Sequence, residues 1–204
     1  MNTQILLFNG PPASGKDTAV DYLHEQAGGW RKIHKLKFAD PIDRGIQGMF
    51  SMSEGYSHRW NKLRHDPELK NTEAFLSSSG KTAREIMIAF SEQFAKPLLG
   101  QGIFGHLAAK QIPPRRNYYY PTLYLVSDCG FQTEYDTFSL LVSARADVHL
   151  INIYRDGCTF ANDSREYVKP NDYTKTHHII TNNGTKPEFE QSVLKLLKQI
   201  RDHR

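Results

Sequence analysis

Nine residues near the N-terminus constrain this chain more than any others: Gly10-Pro11-Pro12-Ala13-Ser14-Gly15-Lys16-Asp17-Thr18. They follow an apolar, strand-like run, Ile5-Leu6-Leu7-Phe8, and open a stretch in which Ala19, Val20 and Leu23 fall on one helical face. A Gly-x4-Gly-Lys spacing lodged between a strand and a helix is the setting of a phosphate loop, and that placement separates it from a chance match. The glycines let the backbone wrap closely round phosphate oxygens with successive N–H groups turned inward. The helix N-terminus adds partial positive charge, and Lys16 reaches the outer phosphates. Gly10, Ala13, Ser14, Gly15, Lys16, Asp17 and Thr18 are therefore the candidate residues for a bound polyphosphate, with Thr18 placed for its inner phosphate.

Five short apolar runs read as strands: Ile5–Phe8, Ile33–Phe38, Thr122–Ser127, His149–Tyr154 and His178–Ile180. Helical patterns alternate with them. Thr82-Ala83-Arg84-Glu85 is a capping-box pattern that opens a helix carrying Ile86, Phe90 and Phe94 at spacing four, and Pro97 marks its expected end. A last helix follows Pro187, with Phe189, Val193, Leu196, Leu197 and Ile200 on one stripe. Strands alternating with helices predict an α/β three-layer sandwich around a mostly parallel five-stranded sheet. Two polar stretches interrupt the rhythm, Asp40 to Lys81 and Arg155 to His177. The expected organisation is a single domain over residues 1–204. It has an insertion over 40–100 for an acceptor and a lid-like segment over 155–177.

Composition bears on what remains. Hydrophobic residues at 39% and aromatics at 11% are too many for a disordered chain. Two cysteines, Cys129 and Cys158, make neither a disulfide framework nor a metal-binding spacing. The N-terminus lacks a basic region followed by an apolar stretch, and no apolar run nears the roughly 20 residues of a membrane span. A cytoplasmic protein is expected, without a membrane partner. The net charge of +4 suits an anionic ligand, although such an excess is equally common without one.

The strand-like Thr122-Leu123-Tyr124-Leu125-Val126-Ser127 ends in Asp128, the candidate Mg²⁺ residue, acting through a water because Mg²⁺ dehydrates reluctantly. The alternative is an Asp that caps the next helix. Asp17 stands where Ser or Thr usually meets the metal; it either binds Mg²⁺ or complements the helix dipole, the second reading standing slightly ahead. Arg84, in the first turn of its helix, is the candidate for an acceptor phosphate, with Arg44 second. Arg155 and Arg165 are candidates to swing over a γ-phosphate. A solvated surface arginine is the plain alternative for each.

Several blocks resemble the deoxynucleoside monophosphate kinases of bacteriophages, within the P-loop nucleoside monophosphate kinases. The blocks are Gly15-Lys16-Asp17-Thr18, Phe38-Ala39-Asp40-Pro41-Ile42, Thr82-Ala83-Arg84-Glu85, Ser127-Asp128 with Phe131 and Glu134, and Asn182-Asn183-Gly184-Thr185. They occur in the expected order and span most of the chain. The resemblance implies a five-stranded parallel P-loop core, ATP as phosphoryl donor, Mg²⁺, and a deoxynucleoside monophosphate as acceptor. It implies that Arg84 holds the acceptor phosphate; taken with the residue readings, the expected catalytic set is Lys16, Arg84, Arg155 and Arg165, and the expected acceptor site Lys37, Asp40, Arg44, Arg84 and Glu92. Asn183 and Gly184 would lie beside the adenine, although Asn-Gly after a strand reads equally as a turn. It is compatible with a homodimer and, for a viral chain, with the host cytoplasm. One departure stands out: where the family tends to carry Val-Arg after the strand-end Asp, this chain has Cys129-Gly130.

Two rivals remain at this stage. One is a P-loop kinase for another small acceptor, phosphomevalonate-like or a sugar acid; an alcohol acceptor would call for a general base. The other is a nucleic-acid-binding ATPase, suggested by Arg115-Arg116-Asn117-Tyr118-Tyr119-Tyr120. An ordinary basic loop outweighs that second reading.

Overall fold

The structure is a computed structural model that describes residues 3–49, 54–66, 68–114, 120–161 and 163–202. Its elements in chain order are β1 (Gln4–Asn9), α1 (Lys16–Gln26), β2 (Lys32–Leu36), α2 (Asp40–Met49), α3 (Glu54–His65), α4 (Leu69–Thr72), α5 (Ala83–Ala89), a π-helical turn (Phe90–Ala95), α6 (Lys96–Leu99), α7 (Ile103–Ala109), β3 (Thr122–Val126), α8 (Gln132–Val142), β4 (Asp147–Tyr154), β5 (Thr174–Thr181) and α9 (Lys186–Asp202). These residues fall into two compact units, Met1–Phe38 with Gly105–Arg204, and Ala39–Phe104.

The first unit holds one five-stranded sheet, ordered β2-β3-β1-β4-β5 and parallel throughout. β1 is central, and all six of its residues are buried, which is why Ile5–Phe8 is a continuous apolar run rather than an alternation, flanked by the buried amides Gln4 and Asn9. The edges read differently. β2 exposes Lys32 and Lys35, a charged rim that discourages pairing with another sheet, and β5 alternates half-buried with exposed residues. Leu6, Phe8, Leu125 and Ile151 pack with Ala19, Val20 and Leu23 of α1 and with the α9 stripe Phe189, Val193, Leu196, Leu197 and Ile200. Each of those large side chains stabilises the fold by roughly 1.5–3 kcal/mol on burial. α8 buries Tyr135, Phe138 and Val142, and the Phe138 ring meets Phe38 just past β2, with centroids 5.3 Å apart. β1 lies where the strand order reverses, so the carboxyl ends of β1, β3 and β4 open a crevice at the start of α1, the usual ligand position in such sheets.

The second unit has its own small core. Trp60 and Phe75 meet edge to face at 5.3 Å, and the Trp60 indole N–H donates to Asp43 Oδ1 at 2.7 Å. Thr82 and Glu85 form the expected capping box at α5. The expected stop at Pro97 is not observed. The helix passes through a π turn whose Lys96 N–H bonds back to Ser91, takes Pro97 inside α6, and ends at Gly100. Proline lacks an N–H and crowds the preceding turn, and the wider π turn accommodates it. Phe94 accordingly leaves the expected stripe and is exposed, while Ser91 and Ala95 are buried.

Candidate functional site

The loop between β1 and α1 closes on itself. Ala13 takes φ 61° and Gly15 φ 109°. Gly15 is required twice over, since a Cβ there would also lie 2.6 Å from Asn182 Nδ2 and 3.1 Å from the Phe189 ring. Asn182, just after β5, donates from Nδ2 to the Ser14 carbonyl at 2.8 Å and fixes the loop from the other side. Gly15 caps α1 without a side-chain hydrogen bond, so the first N–H groups of the helix have no side-chain acceptor at their cap. That is the electrostatic requirement for an anion site.

Lys16 is 8% exposed, and its ammonium donates to the carbonyls of Gly10 at 2.6 Å and Pro11 at 2.7 Å. Burial, then the nearby Arg165 guanidinium, bring its pKa down to about 8. A phosphate dianion would reverse both influences by supplying the countercharge. The adjoining cavity of about 300 Å³ is lined by residues that include Ala13, Asp17, Thr18, Arg155, Gly184 and Lys186. Arg155 Nη1 donates to the Ala13 carbonyl at 3.0 Å. Asn183 Oδ1 accepts the Asp156 N–H at 2.9 Å. Gly184 stands against Glu188, whose carboxylate accepts from the Thr185 N–H and hydroxyl at the start of α9.

Beyond Lys16, Asp17 Oδ1 accepts the buried Ser127 hydroxyl at 2.8 Å and lies 3.6 Å from Lys37 Nζ. Asp128 Oδ1 accepts the Phe38 N–H at 2.9 Å, which ties the ends of β2 and β3 together. These donors are carboxylate and hydroxyl oxygens, a set that suits a hard cation such as Mg²⁺ holding several waters and phosphate oxygens. Among the described residues no cluster of three or more His, Cys, Asp or Glu forms a complete protein cage.

Arg165 makes a bidentate pair with Asp163, Nε to Oδ1 at 2.8 Å and Nη2 to Oδ2 at 2.5 Å. Asp40, Arg44, Arg84 and Glu92 belong to the second unit. There Arg44 and Arg84 are exposed, on α2 and in the first turn of α5. Glu92 accepts the ammonium of Lys96, whose side chain is 2% exposed, at 2.8 Å. The basic stretch 115–119 lies outside the described residues.

Asn9, Asn152 and Asp163 are not among the site residues expected from the sequence, and Ser127 and Asn182 stand in the blocks that carry the resemblance without a role of their own. A signal existed for the asparagines. Asn9 and Asn152 end or nearly end apolar strands, and a buried amide there must find hydrogen-bond partners. They are register partners on β1 and β4 and share the backbone of residues 166–168. Asp163 carries no such mark, because its partner is chosen by a loop conformation.

No protein-family model matches the chain, and no curated protein matches it. Solved structures do. The chain is similar to a candidate kinase of Chloroflexus aurantiacus, at TM-score 0.50 and 13% identity over 99% of this chain and 97% of that one. It is also similar to the APS kinase CysC of Mycobacterium tuberculosis in complex with AMPPNP and APS, at TM-score 0.46 and 14% identity over 97% and 98%. A third is Kti12 of Chaetomium thermophilum in complex with ADP-AlF3, at TM-score 0.45 and 13% identity over 95% and 97%. No helix among the described residues is long and apolar enough to cross a membrane. At such identities the likeness is one of fold, and it agrees with the observed topology: this chain is an α/β protein built on a five-stranded parallel sheet with helices packed against it.

Proposed function

We propose that this chain transfers the γ-phosphoryl group of ATP to the phosphate of a nucleoside monophosphate, with a deoxynucleoside monophosphate as the preferred class. The observation that carries the reading is the closed loop at residues 10–18, with a buried lysine ammonium resting on the loop's own carbonyls at the cap of α1. Lys16 would exchange those two carbonyls for phosphate oxygens and follow negative charge as it moves during transfer. Arg155 and Arg165 would neutralise the outer phosphates, and Arg84 with Arg44 would hold the acceptor. Lys37, Asp40 and Glu92 complete the proposed acceptor set, and Asn183 with Gly184 would border the adenine. Asp17 and Asp128 would hold Mg²⁺, in part through water; when bound, the ion supplies charge neutralisation across the phosphate oxygens. An acceptor phosphate is already ionised at neutral pH, its second pKa being about 6, so no side chain is assigned as a general base.

The test is ADP release with ATP, Mg²⁺ and a panel of ribo- and deoxyribonucleoside monophosphates. At least one deoxynucleotide should be phosphorylated, and Lys16→Ala should lower turnover by more than about 10³-fold while the fold persists. Inactivity with every nucleotide, or substantial turnover by Lys16→Ala, would overturn the reading.

A further inference from the structure

Residues 163–168 are fastened to the carboxyl end of the sheet. Asn9, fully buried and directly before Gly10, donates from Nδ2 to the carbonyls of Cys129 and Glu166, at 2.9 Å each, and accepts the Val168 N–H at 3.0 Å. The Glu166 N–H donates to the Gly130 carbonyl at 3.0 Å, and Asn152 Nδ2 donates to the Val168 carbonyl at 3.2 Å. Val168 is wholly buried. Arg165 is carried on this fastened stretch, and its stem lies flat on Gly130. A Cβ at Gly130 would stand 2.6 Å from Arg165 Cδ and 2.7 Å from Cγ, closer than carbon atoms approach. The Asp163 carboxylate, with its side chain 8% exposed, takes two nitrogens of the guanidinium. Among the described residues nothing bonds the third, Nη1. Arg165 is not among the lining residues of the cavity beside Thr18; it approaches from the Gly130 side, two residues beyond Asp128. Its charge is felt at Lys16, and those of Asp17 and Asp128 are felt at Arg165.

We propose that Gly130 and Asp163 are positioning residues that seat Arg165 for the terminal phosphate of a nucleoside triphosphate before the nucleotide arrives, so that residues 163–168 are a fixed wall of the site. This rests on reading residues 10–18 as a phosphate loop. A cation held in place needs no reorganisation when charge develops on the transferring group. Nη1 has two N–H donors aimed by the Asp163 fork, suited to phosphate oxygens. Gly130 acts only by what it lacks, because any side chain there would evict the arginine stem.

Thermal unfolding with Mg²⁺ and either ADP or AMPPNP tests the arrangement without needing the acceptor. The wild type should be stabilised more by AMPPNP than by ADP. Gly130→Ala, Asp163→Ala and Arg165→Ala should each retain the ADP shift and lose most of that excess. Gly130→Ala in an Arg165→Ala background should take nothing further from that excess, since Cγ, Cδ and the guanidinium are gone and only the Cβ at 3.0 Å is left to give way. In turnover, Gly130→Ala should lower kcat by about tenfold or more with KM for ATP changed less than about threefold. Circular dichroism and the unliganded Tm report folding, and Asp163→Ala, which adds no volume, carries the test if Gly130→Ala misfolds. An intact AMPPNP excess in Gly130→Ala and Asp163→Ala, or full additivity of Gly130→Ala with Arg165→Ala, overturns the seating alone. If neither nucleotide stabilises the wild type, the phosphate-loop reading falls and this inference with it.

Discussion

Lys96 carries its ammonium with 2% of the side chain exposed, and Glu92 Oε1 meets it at 2.8 Å. Taking the carboxylate from such a pair strips a buried ammonium of a close countercharge, whereas replacing the lysine by an apolar chain removes the desolvation cost as well. Glu92→Ala should therefore destabilise the protein by about 2–3 kcal/mol, the partial exposure of Glu92 moderating the usual figure. Lys96→Met should stay within about 1 kcal/mol of wild type. Urea unfolding of both variants checks this. It also separates a structural Glu92 from the acceptor-binding role proposed for it, which would raise KM for the acceptor and leave stability alone. Residues differ sharply in how legible they are. The loop at residues 10–18 is legible because every member is fixed by backbone geometry within nine positions. Gly130 is visible as a departure, yet what fills its place, Arg165, lies 35 residues on and is settled by a loop that periodicity does not describe.

Local signals work for elements whose ends are set by their own residues. All five strands lie where apolar runs predict them, and Thr82 with Glu85 starts α5 as its capping box requires. Pro97 does not end the helix, because a proline stops an α-helix only where the preceding turn cannot widen. The polar stretch after β4 carries little signal of its own, since its order comes from Asn9, Gly130, Asn152 and Gln132 rather than from its own pattern. Amide exchange distinguishes a wall from a flap. The N–H groups of Glu166 and Val168, bonded to Gly130 and Asn9, should exchange far more slowly than those of residues 157–161. Asn9→Ala removes three hydrogen bonds, two of them buried, and should speed exchange at 166 and 168 by about 100-fold, while the β1 and β4 amides keep their protection. Equal, fast exchange across 157–168 in the wild type would mean a mobile flap.

At the scale of the whole molecule, sheet and candidate site are joined through one strand, because β1 starts in a polar network and runs into the loop at residues 10–18. At its start the buried His149 of β4 bridges Gln4 and Thr176 through its two ring nitrogens, at 2.5 and 2.7 Å. Gln4 in turn donates to Asp147, and the Thr176 hydroxyl meets His178. Burial outweighs the attraction of Asp147 and, with His178 and Lys175 nearby, lowers the His149 pKa from 6.5 to about 4. The folded state thus keeps His149 neutral between about pH 4 and 6.5, where the unfolded chain protonates it. The unfolded state binds more protons in that window, so stability rises with pH across it, is complete above pH 6.5 and is lost as the pH falls. The full span is worth about 3 kcal/mol. Carboxylates with lowered pKa, such as Glu85 and Glu188, act in the same direction but only below about pH 4.5. A loss between pH 6.5 and 5 therefore belongs to histidine, with His178 and His34, both lowered chiefly by burial, adding to it in the same sense. Urea midpoints for the wild type should fall across that interval, and His149→Gln, which cannot titrate, should flatten most of the fall. A variant that declines as steeply as the wild type would place the proton elsewhere.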